Sequence, residues 1–298
     1  MRAPDEKGRN NFAAGFAFLM VTAVGWGLNW PVTKYLLNDL PPLTMRGVSG
    51  LIGAATLAII AIARREALSV PRHLWLRLFL TSVMAVSAWA GLIALALLWL
   101  NAGEAAVLGS SNPVWVSLLA WPLLGERISL LRVAAIFIAL VALAVLFGVD
   151  GFSDANAAKL PGVALALAAT IGTSIGTILI KRFPQQLPAI SFAAWQLFLG
   201  CLLITAFGLA FEHAHFENLS TKGWLLFSYM TFVQFCLCYV CWFAALKRLP
   251  ASTAATGTLV VPVVGVIASA IALHEPLGVR EIGALLLTLA SVMLAVRS

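Results

Sequence analysis

The chain has 298 residues, of which 61% are hydrophobic and only 10% are charged. A soluble globular domain carries about 25% charged residues, so this chain has too little charge to cover the surface of an ordinary soluble fold. Its net charge of +7 would suit a nucleic-acid partner if the basic residues shared one face. They lie at the ends of apolar segments instead, and we therefore expect no nucleic-acid partner.

Ten apolar segments follow one another along the chain, each close to the ~20 residues that a helix needs to cross a bilayer core. They cover residues 12–37, 43–63, 74–100, 102–124, 133–149, 160–180, 189–211, 224–246, 251–273 and 277–296. The first is too long for the apolar region of a signal peptide and lacks a cleavage site, so we expect an uncleaved membrane helix. The sequence thus predicts an all-α polytopic membrane protein with ten transmembrane helices.

The Lys and Arg residues predict the orientation, because cytoplasmic loops of membrane proteins carry an excess of them. With the N-terminus in the cytoplasm, most of the 19 basic residues fall in inner loops. The acidic stretches around Asp150 and Glu212 then fall outside. We therefore expect both termini to be cytoplasmic, in a multi-pass protein of the cell's inner membrane.

The two halves of the chain follow one plan. Displacing the sequence by about half its length aligns Pro113 with Pro262, Glu126 with Glu275, Gly25 with Gly172 and Lys34 with Lys181. Each half holds five segments, an odd number, so the second half must enter the membrane from the opposite side. Such an inverted-topology repeat places a substrate site between the halves. We expect residues 1–150 and 151–298 to form two five-helix repeats around a central cavity; the alternative is chance similarity between apolar sequences.

The predicted membrane interior is nearly free of acidic residues. Those closest to it lie near segment ends, at Glu104, Glu126, Glu212 and Glu275. Intramembrane carboxylates usually mark proton relays and cation sites. Their absence argues against a proton-coupled antiporter of cationic drugs and favours a neutral or zwitterionic solute.

The first segment carries the strongest candidate pair for a binding site, Trp26 and Asn29. Gly25 and Pro31 flank this pair and predict a helix irregularity here. An indole ring stacks on flat apolar solutes and keeps its N–H free to donate; the alternative is packing in the core or against lipid. Further candidates for the cavity lining are Trp30, Arg46, Trp89, Ser110, Ser111, Asn112, Thr173, Thr177, Trp195, Gln196, Gln234, Tyr239 and Thr256.

Several of these candidates have a plainer alternative role. Ser and Thr in membrane helices mostly bond to carbonyls of their own helix. Arg46 either extends to the outer interface or holds a substrate carboxylate or an acid such as Glu104. Pro113 and Pro262 each remove a backbone donor in the middle of a segment, and we expect both to act as hinges.

Nothing in the sequence indicates an enzyme, a cofactor or a metal site. Cys236, Cys238 and Cys241 lie inside an apolar segment, and we expect them to pack as small buried residues rather than to bind metal. His274 and Glu275 lack the second histidine of a zinc-protease motif. No nucleotide-binding or hydrolase fingerprint occurs.

Three features together resemble the ten-helix, EamA-type members of the drug/metabolite transporter superfamily. They are WGLNWPVTK at residues 26–34, Arg46 early in the second segment, and SNPVWVSLLAWPLLGER at residues 111–127 with a weaker copy at 261–280. The resemblance implies a five-plus-five inverted repeat and a metabolite carrier of the cytoplasmic membrane, usually an exporter. The small four-helix multidrug relatives carry a glutamate in their first helix, which the first apolar segment of this chain lacks.

The aromatic-rich interior is most similar to exporters of aromatic amino acids. We therefore expect a transporter that exports aromatic or neutral amino acids and related metabolites by alternating access, without ion coupling. Its partners would be the solute and membrane lipid, in a monomer or homodimer. Two alternatives remain open at this point: a carrier for a nucleotide sugar or a drug-like solute, and a non-transporting membrane scaffold.

Overall fold

The computed structural model describes residues 6–124, 130–147, 158–183 and 186–296, and throughout these ranges the regular structure is helical. The α-helices are α1 (Glu6–Leu36), α2 (Pro42–Ala63), α3 (Trp75–Ser82), α4 (Ala88–Ala96), α5 (Ala102–Gly109), α6 (Asn112–Leu124), α7 (Leu130–Phe147), α8 (Leu160–Arg182), α9 (Ala189–Phe211), α10 (Thr221–Ser228), α11 (Cys238–Leu246), α12 (Ala251–Gly257), α13 (Val260–Leu273) and α14 (Val279–Val296). Glu126, Asp150 and the end of the motif at 111–127 lie outside the described residues.

Helices lie over every apolar segment that the sequence predicts. Within the described part of the chain, six stretches are long and apolar enough to cross a membrane, namely Asn11–Leu36, Pro42–Ala63, Arg72–Ala96, Leu160–Arg182, Ala189–Phe211 and Thr221–Leu246. The apolar helices Val133–Leu146 and Val260–Leu273 are shorter. The chain is thus a polytopic membrane protein built from helices, while ten crossings and the location of the termini stay predictions.

Two helices of the predicted membrane region are interrupted at corresponding places. A turn at Ser110 and Ser111 separates α5 from α6, and a turn at Thr258 and Leu259 separates α12 from α13. In both turns a backbone N–H bonds to the carbonyl three residues earlier, instead of four as in an α-helix. The N–H of Ser111, for example, donates to the carbonyl of Leu108 at 3.1 Å. Proline follows each turn and has no N–H to continue the helical hydrogen bonding, which agrees with the interruption here.

Two other helices contain a π-helical segment, again at corresponding places. Val83–Ser87 joins α3 to α4, and Tyr229–Leu237 joins α10 to α11. A π-turn holds an extra residue per turn and often occurs at functional sites. Nothing in the sequence analysis anticipated these segments.

The irregularity expected around Trp26 and Asn29 is absent, and that prediction was wrong. Helix α1 runs from Glu6 to Leu36 without interruption and carries Pro31 in its interior. Its neighbours pack along both sides of this stretch, since α1 lies against α13 and α11. Such packing holds the helix together where a single backbone bond is missing.

Equivalent helices of the two halves make equivalent contacts. Helix α2 packs along α9, and α7 packs along α14. Helix α1 lies against α13 and α11, just as α8 lies against α6 and α4. All of these contacts join one half of the chain to the other, and exchanging the equivalent helices of the two halves reproduces the same set of contacts.

Small residues bring α2 and α9 into close contact. A Cβ on Gly47 would lie 2.8 Å from the backbone N of Thr205, and one on Gly50 would lie 3.0 Å from Cys201 Cβ. There is little hydrophobic drive between helices in lipid, so close backbone approach of this kind contributes much of their packing energy.

The same two helices cap each other's N-termini. Glu212, directly after α9, accepts hydrogen bonds in the first turn of α2. The donors are the backbone N–H groups of Leu43, at 3.0 Å, and Thr44, at 2.7 Å. Glu66, just after α2, accepts from the backbone N–H groups of Ile190 and Ser191 at 3.2 and 3.3 Å, in the first turn of α9. A carboxylate stabilises a helix N-terminus through its unpaired N–H groups and its dipole.

We predict that Glu212→Ala destabilises the protein by about 1–2 kcal/mol, because it leaves N–H groups of α2 without acceptors. The midpoint of thermal unfolding in detergent, followed by tryptophan fluorescence, should fall by a few degrees. The matched control is Glu217→Ala in the same loop, where the carboxylate is exposed and contacts His215. Equal midpoints for the two variants would show that the cap does not stabilise the fold.

Candidate functional site

A cavity of about 360 Å³ lies between the helices of the two halves. This volume suits a small metabolite, since ligand pockets usually measure 300–1,000 Å³. The residues that line it are Trp26, Asn29, Trp30, Thr33, Arg46, Trp89, Ile93, Leu97, Gly109, Ser110, Asn112, Pro113, Thr173, Gln234, Tyr239, Thr258, Leu259, Val261, Pro262 and Val292. They include many of the candidates drawn from the sequence.

The two interrupted helices meet at this cavity. Both turns contribute to its lining, through Ser110 in one and Thr258 and Leu259 in the other. Pro113 and Pro262 line it as well. Non-helical backbone at membrane depth is tolerated only inside protein or beside a wet cavity, and the position of both turns at this cavity agrees with that rule.

Aromatic rings form one wall of the cavity in two edge-to-face pairs. The rings of Trp26 and Tyr239 lie 5.9 Å apart, and those of Trp30 and Trp89 lie 6.1 Å apart. Gly109 ends α5 directly against the second pair, because a Cβ there would lie 2.9 Å from Trp30 and 3.0 Å from Trp89. The wall therefore offers flat apolar surface to a bound solute.

The indole N–H of Trp26 is not free, which corrects the expectation that it would donate to a solute. It donates to the backbone carbonyl of Gln234 at 3.4 Å. That carbonyl belongs to the π-helical segment Tyr229–Leu237, whose wider turn alters the regular backbone bonding. Trp26 consequently offers its ring to the cavity rather than its donor.

Several polar candidates already have partners within the protein. Ser110 and Thr173 donate to carbonyls one turn back in their own helices, at 2.6 and 2.8 Å. Asn112 Oδ1 accepts from Ser174 at 3.1 Å, which links α6 to α8. These side chains shape the wall and hold neighbouring helices together.

Two residues that line the cavity each hold a buried polar atom without a hydrogen-bond partner among the described residues. The atoms are Asn29 Oδ1 and Arg46 Nε, in side chains that are 9% and 2% exposed. Nη1 of Arg46 lies 3.5 Å from Gln234 Oε1, and its guanidinium lies 5.4 Å from the centre of the Phe235 ring. An unpaired buried polar atom is costly unless something else satisfies it.

Five candidates do not line the cavity. Ser111 donates to the carbonyl of Leu108 in α5 at 2.6 Å, Thr177 donates to a carbonyl of its own helix at 2.9 Å, and Thr256 is exposed. Trp195 donates to the carbonyl of Leu68 at 2.9 Å. Gln196 is its neighbour on α9, the helix that packs along α2 away from the cavity.

Trp195 lies instead in a second pocket, which is almost entirely apolar. This pocket is lined by Leu51, Ala54, Ala55, Ala58, Leu68, Ala194, Trp195, Phe198 and Leu202. The Trp195 ring packs edge-to-face on Trp75 at 5.0 Å. The bond from its indole to Leu68 explains why the ring faces this side of α9.

The sequence analysis overlooked Thr33 and several apolar lining residues, among them Ile93, Leu97 and Val261. Thr33 donates to the carbonyl of Asn29 at 2.8 Å. It follows Asn29 by four positions, so both lie on one face of α1. Helical spacing from Asn29 was therefore a signal that would have identified it.

Comparisons with known proteins agree with this architecture. The EamA-like transporter family matches the chain twice, at residues 13–148 and 160–297. A solved crystal structure superposes with a TM-score of 0.67 at 20% identity, covering 96% of both chains, which shows a shared fold.

Named relatives span nearly the whole chain. An uncharacterized transporter of Bacillus subtilis, YvbV, is 29% identical over 93% of this chain and 89% of its own length. A probable amino-acid metabolite efflux pump of Salmonella typhimurium is 30% identical over 92% of this chain and 91% of its own. With both halves of the chain matched by one family model, the protein belongs to the EamA-like transporter family.

Proposed function

We propose that this membrane transporter exports aromatic and neutral amino acids, with related small metabolites, across the inner membrane. The observation that carries the proposal is the cavity at the two helix interruptions, with its aromatic wall and two unpaired polar atoms. The cavity is large enough for one amino acid. Relatives from Salmonella typhimurium and Escherichia coli that are named probable amino-acid metabolite efflux pumps support this substrate class.

We further propose that residues 1–150 and 151–298 form two five-helix repeats of opposite orientation. The double match to one family model supports a duplication. The equivalent helix contacts in the two halves support it as well. The opposite orientation rests on the odd number of predicted segments in each half, with both termini in the cytoplasm.

Alternating access requires the two ends of the cavity to open in turn. On the predicted outer side, Lys34 Nζ donates to the carbonyls of Leu97 and Leu100. On the same side, Glu275 accepts from the backbone N–H groups of Ala102 and Gly103 at 2.7 and 2.9 Å. These bonds tie α1, the end of α4, the start of α5 and the loop after α13 together. They break when the outer end opens, while Pro113 and Pro262 act as the hinges.

The alternative carriers fit the cavity less well. Among the described residues that line it, Arg46 is the only basic side chain, whereas the two phosphates of a nucleotide sugar call for several cations. A non-transporting scaffold needs no cavity lined by polar side chains at the interruptions of two helices. Both observations favour transport of a small, mostly apolar solute.

We predict that the purified protein in liposomes moves labelled phenylalanine or tryptophan faster than empty vesicles do. The solute should enter down its gradient and exchange against unlabelled solute inside. Uptake at the rate of empty vesicles for both amino acids would contradict the proposed substrate class.

Replacing Trp26 by Ala should reduce this flux at least tenfold, because a lost aromatic contact of this size costs about 1.5–3 kcal/mol. Membrane insertion and expression should stay normal. Trp121→Ala serves as the matched control, since this indole is 55% exposed on α6 and away from the cavity. Unchanged flux in the Trp26 variant would assign that residue to packing alone.

A pH gradient alone should not drive uphill accumulation of labelled phenylalanine. No carboxylate lines the cavity in the part of the chain that the structure describes, and proton-coupled carriers usually rely on one at membrane depth. The measurement compares proteoliposomes with and without an imposed pH difference. Accumulation above the external concentration would show that transport is proton-coupled.

A further inference from the structure

Arg46 is a buried cation without a counter-ion among the residues that the structure describes. Its side chain is 2% exposed on α2, close to the helix N-terminus. In the described ranges no carboxylate forms an ion pair with it. A buried charge is costly unless it is paired and fully hydrogen-bonded. The arginine therefore needs a partner that the described chain does not supply.

The neighbours of Arg46 orient the guanidinium without neutralising it. Gln234 Oε1 lies 3.5 Å from Nη1, which is at the limit of a hydrogen bond. The Phe235 ring lies 5.4 Å away and attracts the cation through its π-face. The titratable side chains that face it are Cys201 from α9 and Tyr239 from α11, and neither type is normally charged at neutral pH.

The position of Arg46 does not fit an arginine that extends to the membrane surface. Such a side chain keeps its charged head in water, whereas this one is almost fully buried and lines the central cavity. Gln234 links it to the aromatic wall, because its side chain faces Arg46 and its carbonyl accepts from Trp26. The cation and the flat apolar surface thus share one binding space.

Asn29 adds a complementary feature to the same wall. Asn29 lines the cavity, and its buried Oδ1 accepts no hydrogen bond from the residues that the structure describes. An unpaired acceptor suits an ammonium group, and a guanidinium that lacks a carboxylate partner suits a carboxylate. An α-amino acid carries both of these groups on its α-carbon.

We propose that Arg46 binds the carboxylate of the transported solute and that Asn29 Oδ1 accepts a hydrogen bond from its ammonium group. The aromatic wall then holds the side chain. This inference rests on the proposed amino-acid transport and narrows it: the carboxylate is the essential recognition element and the ammonium a secondary one. With a single basic residue on the described lining, the site suits a monoanionic carboxylate rather than a phosphorylated solute.

A panel of three matched compounds tests the inference on the unmodified protein. Phenylalanine carries both groups, phenylacetate lacks the ammonium, and phenethylamine lacks the carboxylate. The readout is the thermal unfolding midpoint of the purified full chain in detergent, titrated with each compound. Phenylalanine and phenylacetate should raise the midpoint, and phenethylamine should not.

Variants of Arg46 and Asn29 test which residue binds the carboxylate of the solute and which binds its ammonium group. Arg46→Gln should weaken the binding of phenylalanine and of phenylacetate at least about 30-fold, because the charged partner of the carboxylate is lost. Asn29→Ala should weaken the binding of phenylalanine but leave the binding of phenylacetate unchanged. Arg64→Gln is the matched control, since Arg64 is exposed at the opposite end of α2. Arg46→Lys keeps the charge and should retain part of the binding if Arg46→Gln does not fold.

Each outcome either supports the inference or overturns it. Equal shifts by phenethylamine and phenylacetate, or binding by Arg46→Gln equal to that of the unmodified protein, would overturn it even if labelled phenylalanine is transported in liposomes. The absence of a shift with all three compounds would overturn it as well. Arg46-dependent binding of phenylacetate without phenylalanine transport would leave the carboxylate site standing and would refute amino-acid export.

Discussion

The need to satisfy every backbone polar group at membrane depth governs this structure. A regular helix does so by itself, but a turn separates α5 from α6 and another separates α12 from α13. Pro113 follows the first turn and Pro262 follows the second. Such turns are stable only against protein or a wet cavity, and both face the same cavity. Gly109 ends α5 against two indole rings. The cavity, its aromatic wall and the interruptions are therefore parts of one arrangement.

A second group of contacts, between α2 and α9, fixes the helix that carries Arg46. Helices α2 and α9 approach closely through glycine and cap each other with Glu66 and Glu212. From this pair only Arg46 reaches the cavity lining, and α9 contributes none of the lining residues. A binding group is held more accurately on a rigid element than on a mobile one. The structure thus separates Arg46, the proposed anchor for a solute, from the interrupted helices around it.

Much of the fold was predictable from the sequence, because long apolar segments have few alternatives to the helix. The ends of α2 and α9 agree with the predicted segments to within a residue. Features that depend on distant contacts were not predictable. Trp26 donates to a carbonyl 208 residues away, and α1 stays continuous through Pro31 because its neighbours pack along it. The direction in which Trp195 points follows from its bond to the carbonyl of Leu68, in the loop after α2.

The reciprocal caps of α2 and α9 have unequal consequences during synthesis. The carboxylate that caps α2 lies 168 residues after Thr44, so the ribosome makes it only once most of the chain has been translated. The first turn of α2 must wait through that interval without its carboxylate cap. Glu66, in contrast, is made 125 residues before Ser191. Helix α9 can therefore bond to its cap, Glu66, as soon as it packs against α2. The cap of α2 forms only after Glu212 has been synthesised.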